Sequence, residues 1–154
     1  TADRFQAFCE MEALGEGNGI CHLFHGSRNE NFWSILTNGL TINPQNVVIS
    51  GKMFGNGTYF AVDADKSLGY TSYRNSRWAH GSSDVGYLAI CRVAIGKQYN
   101  LDSSQSDLTW KKLQQRCPGA HCVWAHAGVS LYRDEIIVYQ DCQSTIEYLV
   151  EMAV

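Results

Sequence analysis

A ring nitrogen, a backbone without a Cβ and a hydroxyl crowd into one tight turn at His25-Gly26-Ser27-Arg28. Gly26 lets a ligand approach the main chain closely, while His25 and Ser27 supply a ring donor and a hydroxyl beside it. The same tetrapeptide equally describes a satisfied buried histidine ahead of a Gly-Ser turn. A second group is the glycine-rich run Gly51-Lys52-Met53-Phe54-Gly55-Asn56-Gly57-Thr58-Tyr59-Phe60. It lacks the G-K-[ST] ending of a phosphate-binding P-loop, and it precedes a strand where the dinucleotide G-x-G-x-x-G precedes a helix, so both of those folds are excluded. What it delivers is Tyr59, an aromatic face with a polar tip that suits stacking on a flat heteroaromatic ring. Glycine-rich turns before aromatic strands are also common in ordinary β proteins.

The third group is Lys66-Ser67-Leu68-Gly69-Tyr70, in which Ser67 and Tyr70 stand three apart and share a helix face. A hydroxyl beside an aromatic face fits a planar ring bearing an amide. A helix with one tyrosine packed on a sheet gives the same pattern. The fourth is Glu135, a carboxylate leading into the apolar run Ile136-Ile137-Val138-Tyr139. It reads as a solvated strand end or as a functional acid.

These groups must be held by strands. Runs rich in β-branched and aromatic residues predict strands over 21–25, 58–62, 86–95, 135–139 and 145–150. A short helix is predicted over 29–39, with an Asn29 cap, a Gly39 stop and Phe32, Trp33, Ile35, Leu36 and Leu40 as its apolar residues. A second begins near Asp63, whose side chain is expected to cap residues 65–70. A third, more polar one is expected over 108–116. Strands with short helices inserted and no regular βαβ alternation indicate an α+β fold. The prolines, Pro44 and Pro118, sit in turn sequences, and no linker or repeat divides the 154 residues, which read as a single domain with residues 1–20 as an N-terminal extension.

A net charge of −3 supplies no overall positive field for duplex nucleic acid or anionic lipid. No apolar run reaches a membrane span, and the first residues lack the layout of a signal peptide, so an intracellular protein, cytoplasmic or nuclear, is expected. The six irregularly spaced cysteines, Cys9, Cys21, Cys91, Cys117, Cys122 and Cys142, fit a reducing compartment better than a disulfide framework. Cys117, His121, Cys122 and His126 offer four donors without the tight C-x2-C spacing of common zinc sites. They are read as small apolar residues and surface histidines around a Pro-Gly turn, with no metal.

The four groups, in this order, closely resemble the catalytic domain of the poly(ADP-ribose) polymerase family, the diphtheria-toxin-like ADP-ribosyltransferases, over about residues 22–150. The resemblance implies two opposed antiparallel sheets with NAD+, the substrate, in the cleft between them. It also implies a His-Tyr-Glu catalytic triad at His25, Tyr59 and Glu135, and a donor site of His25, Gly26, Ser27, Tyr59, Phe60, Lys66, Ser67 and Tyr70. In that scheme His25 and Ser27 bind the adenosine ribose, and Gly26 and Ser67 the nicotinamide carboxamide. Tyr70 and Tyr59 enclose the nicotinamide ring, and Glu135 reaches the 2′-hydroxyl of its ribose. Residues 43–54 resemble the family's loop over the donor pocket. Thr41 stands where many members place an arginine, and Lys52 where many have an aromatic residue, whereas Met53 and Phe60 match chain-extending relatives.

The arginine-modifying branch carries an E-x-E pair, but here Arg133 stands two before Glu135, which disfavours it. The resemblance therefore implies transfer of ADP-ribose to a macromolecular acceptor, a protein (itself included) or a nucleic acid, by a monomer with no membrane partner, giving one unit or a short oligomer. An NAD+ glycohydrolase and a catalytically silent NAD or ADP-ribose reader are the alternatives. No helical regulatory domain fits in the residues before Cys21.

Overall fold

The computed structural model describes residues 2–42, 52–128 and 130–153. Along the chain run α1 (Ala2–Met11), β1 (Gly15–Glu16), β2 (Gly19–Gly26), α2 (Asn29–Asn38), β3 (Thr58–Ala61) and α3 (Ala64–Leu68). There follow β4 (Val85–Ala94), β5 (Gln98–Leu101), α4 (Trp110–Arg116), β6 (Cys122–Ala125), β7 (Glu135–Val138), a 3-10 turn (Asp141–Gln143) and β8 (Ser144–Ala153). The class is α+β, and the five predicted strands are β2, β3, β4, β7 and β8.

The described strands form one hydrogen-bonded path, β5-β6-β7-β3-β2-β4-β8, with β1 alongside β2. Pairing is antiparallel except for β1 with β2 and β5 with β6. Two halves are recognisable within this path. In one, β2 pairs with β4 from Ile20 opposite Ala94 to Gly26 opposite Leu88, and β4 continues onto β8. In the other, β3 pairs with β7 from Thr58 opposite Val138 to Ala61 opposite Glu135, and β7 with β6. The halves join at a single pair, Phe24 opposite Ala61. The resemblance implied two opposed sheets; the described strands lie on one hydrogen-bonded path.

Two main apolar clusters pack on this path, and the first draws on both halves. Leu23, Phe60, Cys91, Val93 and Ile136 form one apolar cluster. Phe54, Leu101, Leu108, Leu113, Val123 and Ile137 form a second. At the start of the chain, α1 buries Phe5, Phe8 and Cys9 against Ile20 and Ala94. Its short apolar stripe sits among polar residues, which hid the helix from the sequence.

Capping departs from expectation where a side chain has a better partner elsewhere. Arg28, not Asn29, is the N-cap of α2, and no side chain bonds there. Asn29 instead donates from Nδ2 to the Val85 carbonyl, 2.9 Å away. Asp63 caps α3 by position only, and its carboxylate faces Arg133. Gly39 ends α2 at φ 78°, as expected. Only Phe32 of the apolar α2 residues is buried, while Trp33 and Leu36 face solvent. Thr109 caps α4 from its side chain to the Lys112 N–H.

The residues weighed as zinc donors act separately. His121 is not a surface residue: its Nδ1 accepts from the Lys97 N–H at 2.9 Å and its Nε2 meets Glu12 at 2.9 Å, tying the residue that follows α1 to the strand connection. Cys122 lies within β6 with its thiol on the Ile95 carbonyl, and His126 meets Asn100 at 2.7 Å. All six cysteines are free thiols. Among the described residues, no helix is long and apolar enough to cross a membrane. Pro118 lies in a turn, and Pro44 lies outside the described residues.

Candidate active site

The site grows from the place where the two halves meet. His25 sits near the end of β2, and its Nδ1 lies 2.8 Å from the Tyr59 carbonyl on β3. A carbonyl only accepts, so Nδ1 carries the proton and Nε2 is left as the acceptor of a neutral ring. Burial pushes the His25 pKa down, against the pull of that backbone bond. Phe60 packs edge-on against the ring at 5.8 Å. Phe60 is itself a core residue, since alternation along β3 sends Tyr59 to one face and Phe60 to the other. Its part is to seat His25.

Tyr59 is fixed at both ends. Its hydroxyl donates to the Gly55 carbonyl at 2.8 Å and accepts from the Phe54 N–H at 3.0 Å. The Tyr139 hydroxyl in turn donates to the Phe54 carbonyl. Gly55 has φ 77°, and a Cβ there would lie 2.1 Å from the Leu108 carbonyl oxygen, so the glycine-rich run is required by a close backbone approach. Lys52 and Met53 precede it, with Met53 packed on the second cluster. Of the expected pocket loop, residues 43–51, including Gly51, lie outside the described residues.

The third motif stands against the first. A Cβ on Gly26 would come within 1.8 Å of the Ser67 carbonyl oxygen, so β2 and α3 touch through bare backbone. Ser67 is buried there. Ser27 accepts from Asn31 Nδ2 at 2.9 Å. Tyr70 follows α3, 37% exposed as a residue, with its ring stacked on Trp78 at 4.7 Å.

Lys66 and Glu135 complete the arrangement. Their charged atoms are 3.0 Å apart, with side chains only 5% and 8% exposed. The Lys66 ammonium also donates to the Arg133 carbonyl at 2.9 Å. Glu135 is thus no solvated strand end. Burial pushes its pKa up, partly offset by Lys66. Because Ala61 pairs with Glu135 and Tyr59 with Ile137, Tyr59 and Glu135 lie on one face of the sheet. Burial and the Glu135 charge raise both the Tyr59 and Tyr70 hydroxyls, the latter to about 12. Glu135 and both tyrosines therefore share one electrostatic neighbourhood.

Two contributors escaped the sequence reading. Asp134 accepts from the Ala127 N–H at 2.7 Å and from Trp124 Nε1 at 2.9 Å, shaping the turn that presents Glu135. These bonds hold its pKa low although burial alone would raise it. Its place beside Glu135 was the available signal. Trp78 gave none, because its partner Tyr70 is met only through a folded-back loop.

The family model for the poly(ADP-ribose) polymerase catalytic domain matches residues 1–154. The chain is 32% identical over 136 residues to the poly [ADP-ribose] polymerase-like protein 100L of Invertebrate iridescent virus 6, covering 84% of this chain and 69% of that one. It is 41% identical over 100 residues to poly [ADP-ribose] polymerase 2 of Arabidopsis thaliana, covering 65% of this chain and 14% of that one. With poly [ADP-ribose] polymerase 1 of Xenopus laevis it shares 31% over 153 residues, covering 84% and 15%. The chain thus spans most of the viral relative and a small part of the plant and frog proteins. A match along every residue, with the four motifs in order, leads to one conclusion: the chain belongs to the poly(ADP-ribose) polymerase catalytic-domain family of NAD+-using ADP-ribosyltransferases.

Proposed function

We propose that this chain cleaves the nicotinamide–ribose bond of NAD+ and transfers the ADP-ribose to a macromolecular acceptor. The observation that carries this reading is a buried carboxylate, Glu135, held by Lys66 on the sheet face that also bears Tyr59. The backbone contact of Gly26 with Ser67 supports a carboxamide seat between β2 and α3. His25 and Ser27 take the adenosine ribose, and Tyr59 and Tyr70 enclose the nicotinamide. Phe60 contributes behind His25.

The chemistry asks little more of the protein. Nicotinamide in NAD+ is a cationic pyridinium and leaves as a neutral base, so no general acid is needed, unlike the two-carboxylate arrangement of an ordinary glycosidase. Breakage leaves positive charge on the ribose. Glu135 on the 2′-hydroxyl stabilises that charge, and its dry surroundings strengthen the interaction. Enclosing the departing ring fixes the direction from which the acceptor attacks. We assign the acceptor to protein, this chain included, and the product to one unit or a short oligomer, because Lys52 replaces the aromatic residue common at that place. A nucleic-acid acceptor is the second candidate. We further propose a metal-free monomer in a reducing, intracellular setting.

Incubation with labelled NAD+ tests the reading, with thermal shift against NAD+ and 3-aminobenzamide alongside. Label on protein, in single units or short chains, is the expected result. Nicotinamide release without labelled macromolecule makes the chain a glycohydrolase. Binding without release makes it a silent reader. No melting shift at millimolar ligand refutes the pocket, and a ladder of long polymer refutes the product length.

A further inference from the structure

Residues 71–84 fold back over the end of α3 and are pinned to the donor site from two sides. The Trp78 and Ala79 N–H groups both donate to the Gly69 carbonyl at 2.9 Å. Arg28, the last residue of the His-Gly-Ser-Arg turn, donates from Nη2 to the Ala79 carbonyl at 3.1 Å. These bonds deliver the Trp78 indole onto Tyr70, with ring centroids 4.7 Å apart and planes 19° from parallel. A Cβ on Gly69 would lie 2.2 Å from the indole, so Trp78 lies directly against this main chain. The Arg77 guanidinium lies 5.5 Å from the Trp78 ring and 5.4 Å from the Tyr132 ring.

A tyrosine ring has two faces. Trp78 covers one, and Tyr70 as a residue keeps 37% of its surface exposed, an exposure we assign to the other face. Tyr59 is oriented through its hydroxyl, whereas Tyr70 is oriented through its covered face. The geometry points to Trp78 as a positioning residue for the donor: its indole backs Tyr70 and sets the tilt of the face offered to the nicotinamide ring. Arg77, between Trp78 and Tyr132, keeps the indole in place. The inference rests on the reading of Tyr70 as the nicotinamide stack. The bond to Arg28 adds a consequence, since the carboxamide seat and the stacking face are braced by the same segment.

The test measures nicotinamide release against NAD+ concentration, and NAD+ affinity by calorimetry, in the wild type, Trp78→Ala, Trp78→Phe and Arg77→Gln. Trp78→Ala is expected to raise KM and Kd for NAD+ together by about three- to tenfold, the scale of a lost aromatic pair, with kcat within about twofold. Trp78→Phe should recover most of that loss. Arg77→Gln, which keeps the indole, should raise KM by about twofold and serves as the test should Trp78→Ala not fold. Unchanged KM in Trp78→Ala, or in Arg77→Gln where that variant decides, overturns the inference even if the melting temperature drops. Tighter NAD+ binding by Trp78→Ala also overturns it, because the indole would then occupy the nicotinamide seat. Failure of the wild type to bind or cleave NAD+ would instead refute the underlying assignment, so the two failures are distinct.

Discussion

Lys66 stands 3.0 Å from Glu135 and Lys112 stands 3.0 Å from Asp107, yet the two carboxylates respond in opposite directions. Glu135 is pushed above the ordinary carboxylate range and Asp107 is drawn well below it. Separation cannot explain this. The Glu135 side chain is 8% exposed, so loss of water is the largest influence on it and one ammonium does not compensate. Asp107 remains in water and receives charged hydrogen bonds from Arg116 and Lys112, which favour its ionised form. A charge pair at a surface is a clasp; the same pair taken out of water is a charge held at a cost, which is what a site that meets a developing cation requires.

The pH dependences follow with opposite signs. Between 4.5 and the raised pKa of Glu135, the folded chain keeps a proton that the unfolded chain has lost, so this residue's contribution to stability falls as pH rises. In the proposed mechanism function runs the other way, since the ionised form is the one assigned to act. Asp107 contributes stability above its unfolded value of 3.8, and the contribution is lost as pH falls through its depressed folded value.

The largest effect is expected from Lys66→Met, which leaves Glu135 buried without its cation. Removing one partner of a buried pair costs about 3–5 kcal/mol. Because Glu135 can escape by taking a proton, the loss should be greatest near neutral pH and shrink toward acid. Denaturant titrations at several pH values check it, and a loss independent of pH would mean that packing, not charge, is responsible. The acid limb of nicotinamide release should also move upward in this variant, because Lys66 is what lowers the Glu135 pKa.

Next in size is Glu135→Gln, which keeps the shape and removes the charge. Transfer should fall by about two or more powers of ten while NAD+ affinity changes little, the signature of an interaction made chiefly in the transition state. Single-turnover rates and calorimetry read the two quantities. Undiminished transfer would remove Glu135 from the mechanism. In the wild type, the acid limb should lie above 4.5, the ordinary glutamate value, and a limb at or below that value would contradict the burial argument.

Much of this contrast was legible in the sequence. A carboxylate leading into Ile136-Ile137-Val138 marked Glu135 as a strand residue, and its burial follows from the apolar strands on both sides. Spacing placed Ser67 and Tyr70 on one helix face, whereas α3 ends at Leu68 and Tyr70 lies in the turn beyond it. What stayed hidden depends on partners distant in the chain. Asp63 has the residue type of a cap, but Arg133, 70 residues away, takes its side chain. The four-residue strands β5 and β6 pair in parallel, which neither local periodicity nor turn chemistry announces. His121 looked exposed beside Pro118-Gly119 and is held by Glu12 across 109 residues. Tyr70 was read from its own helix face, while the Trp78 stack that orients it belongs to the loop beyond.

The smallest effect should come from Asp107→Asn, despite the large displacement of its pKa. Asp107 joins the residues before α4 to Lys112 and to Arg116 in the last turn of the helix. All three side chains are substantially exposed, so water replaces what the substitution removes. The cap from Thr109 and the burial of Leu113 are untouched, and they hold α4 on the second cluster. The melting temperature at neutral pH should therefore drop by about a degree or two, with less difference in about 1 M salt, where exposed charges are screened. At pH values low enough to protonate Asp107 in both folded and unfolded chains, variant and wild type should melt together. A loss as large as that of Lys66→Met, insensitive to salt, would mean that the Asp107 clasp is shielded from water and that exposure does not separate the two pairs.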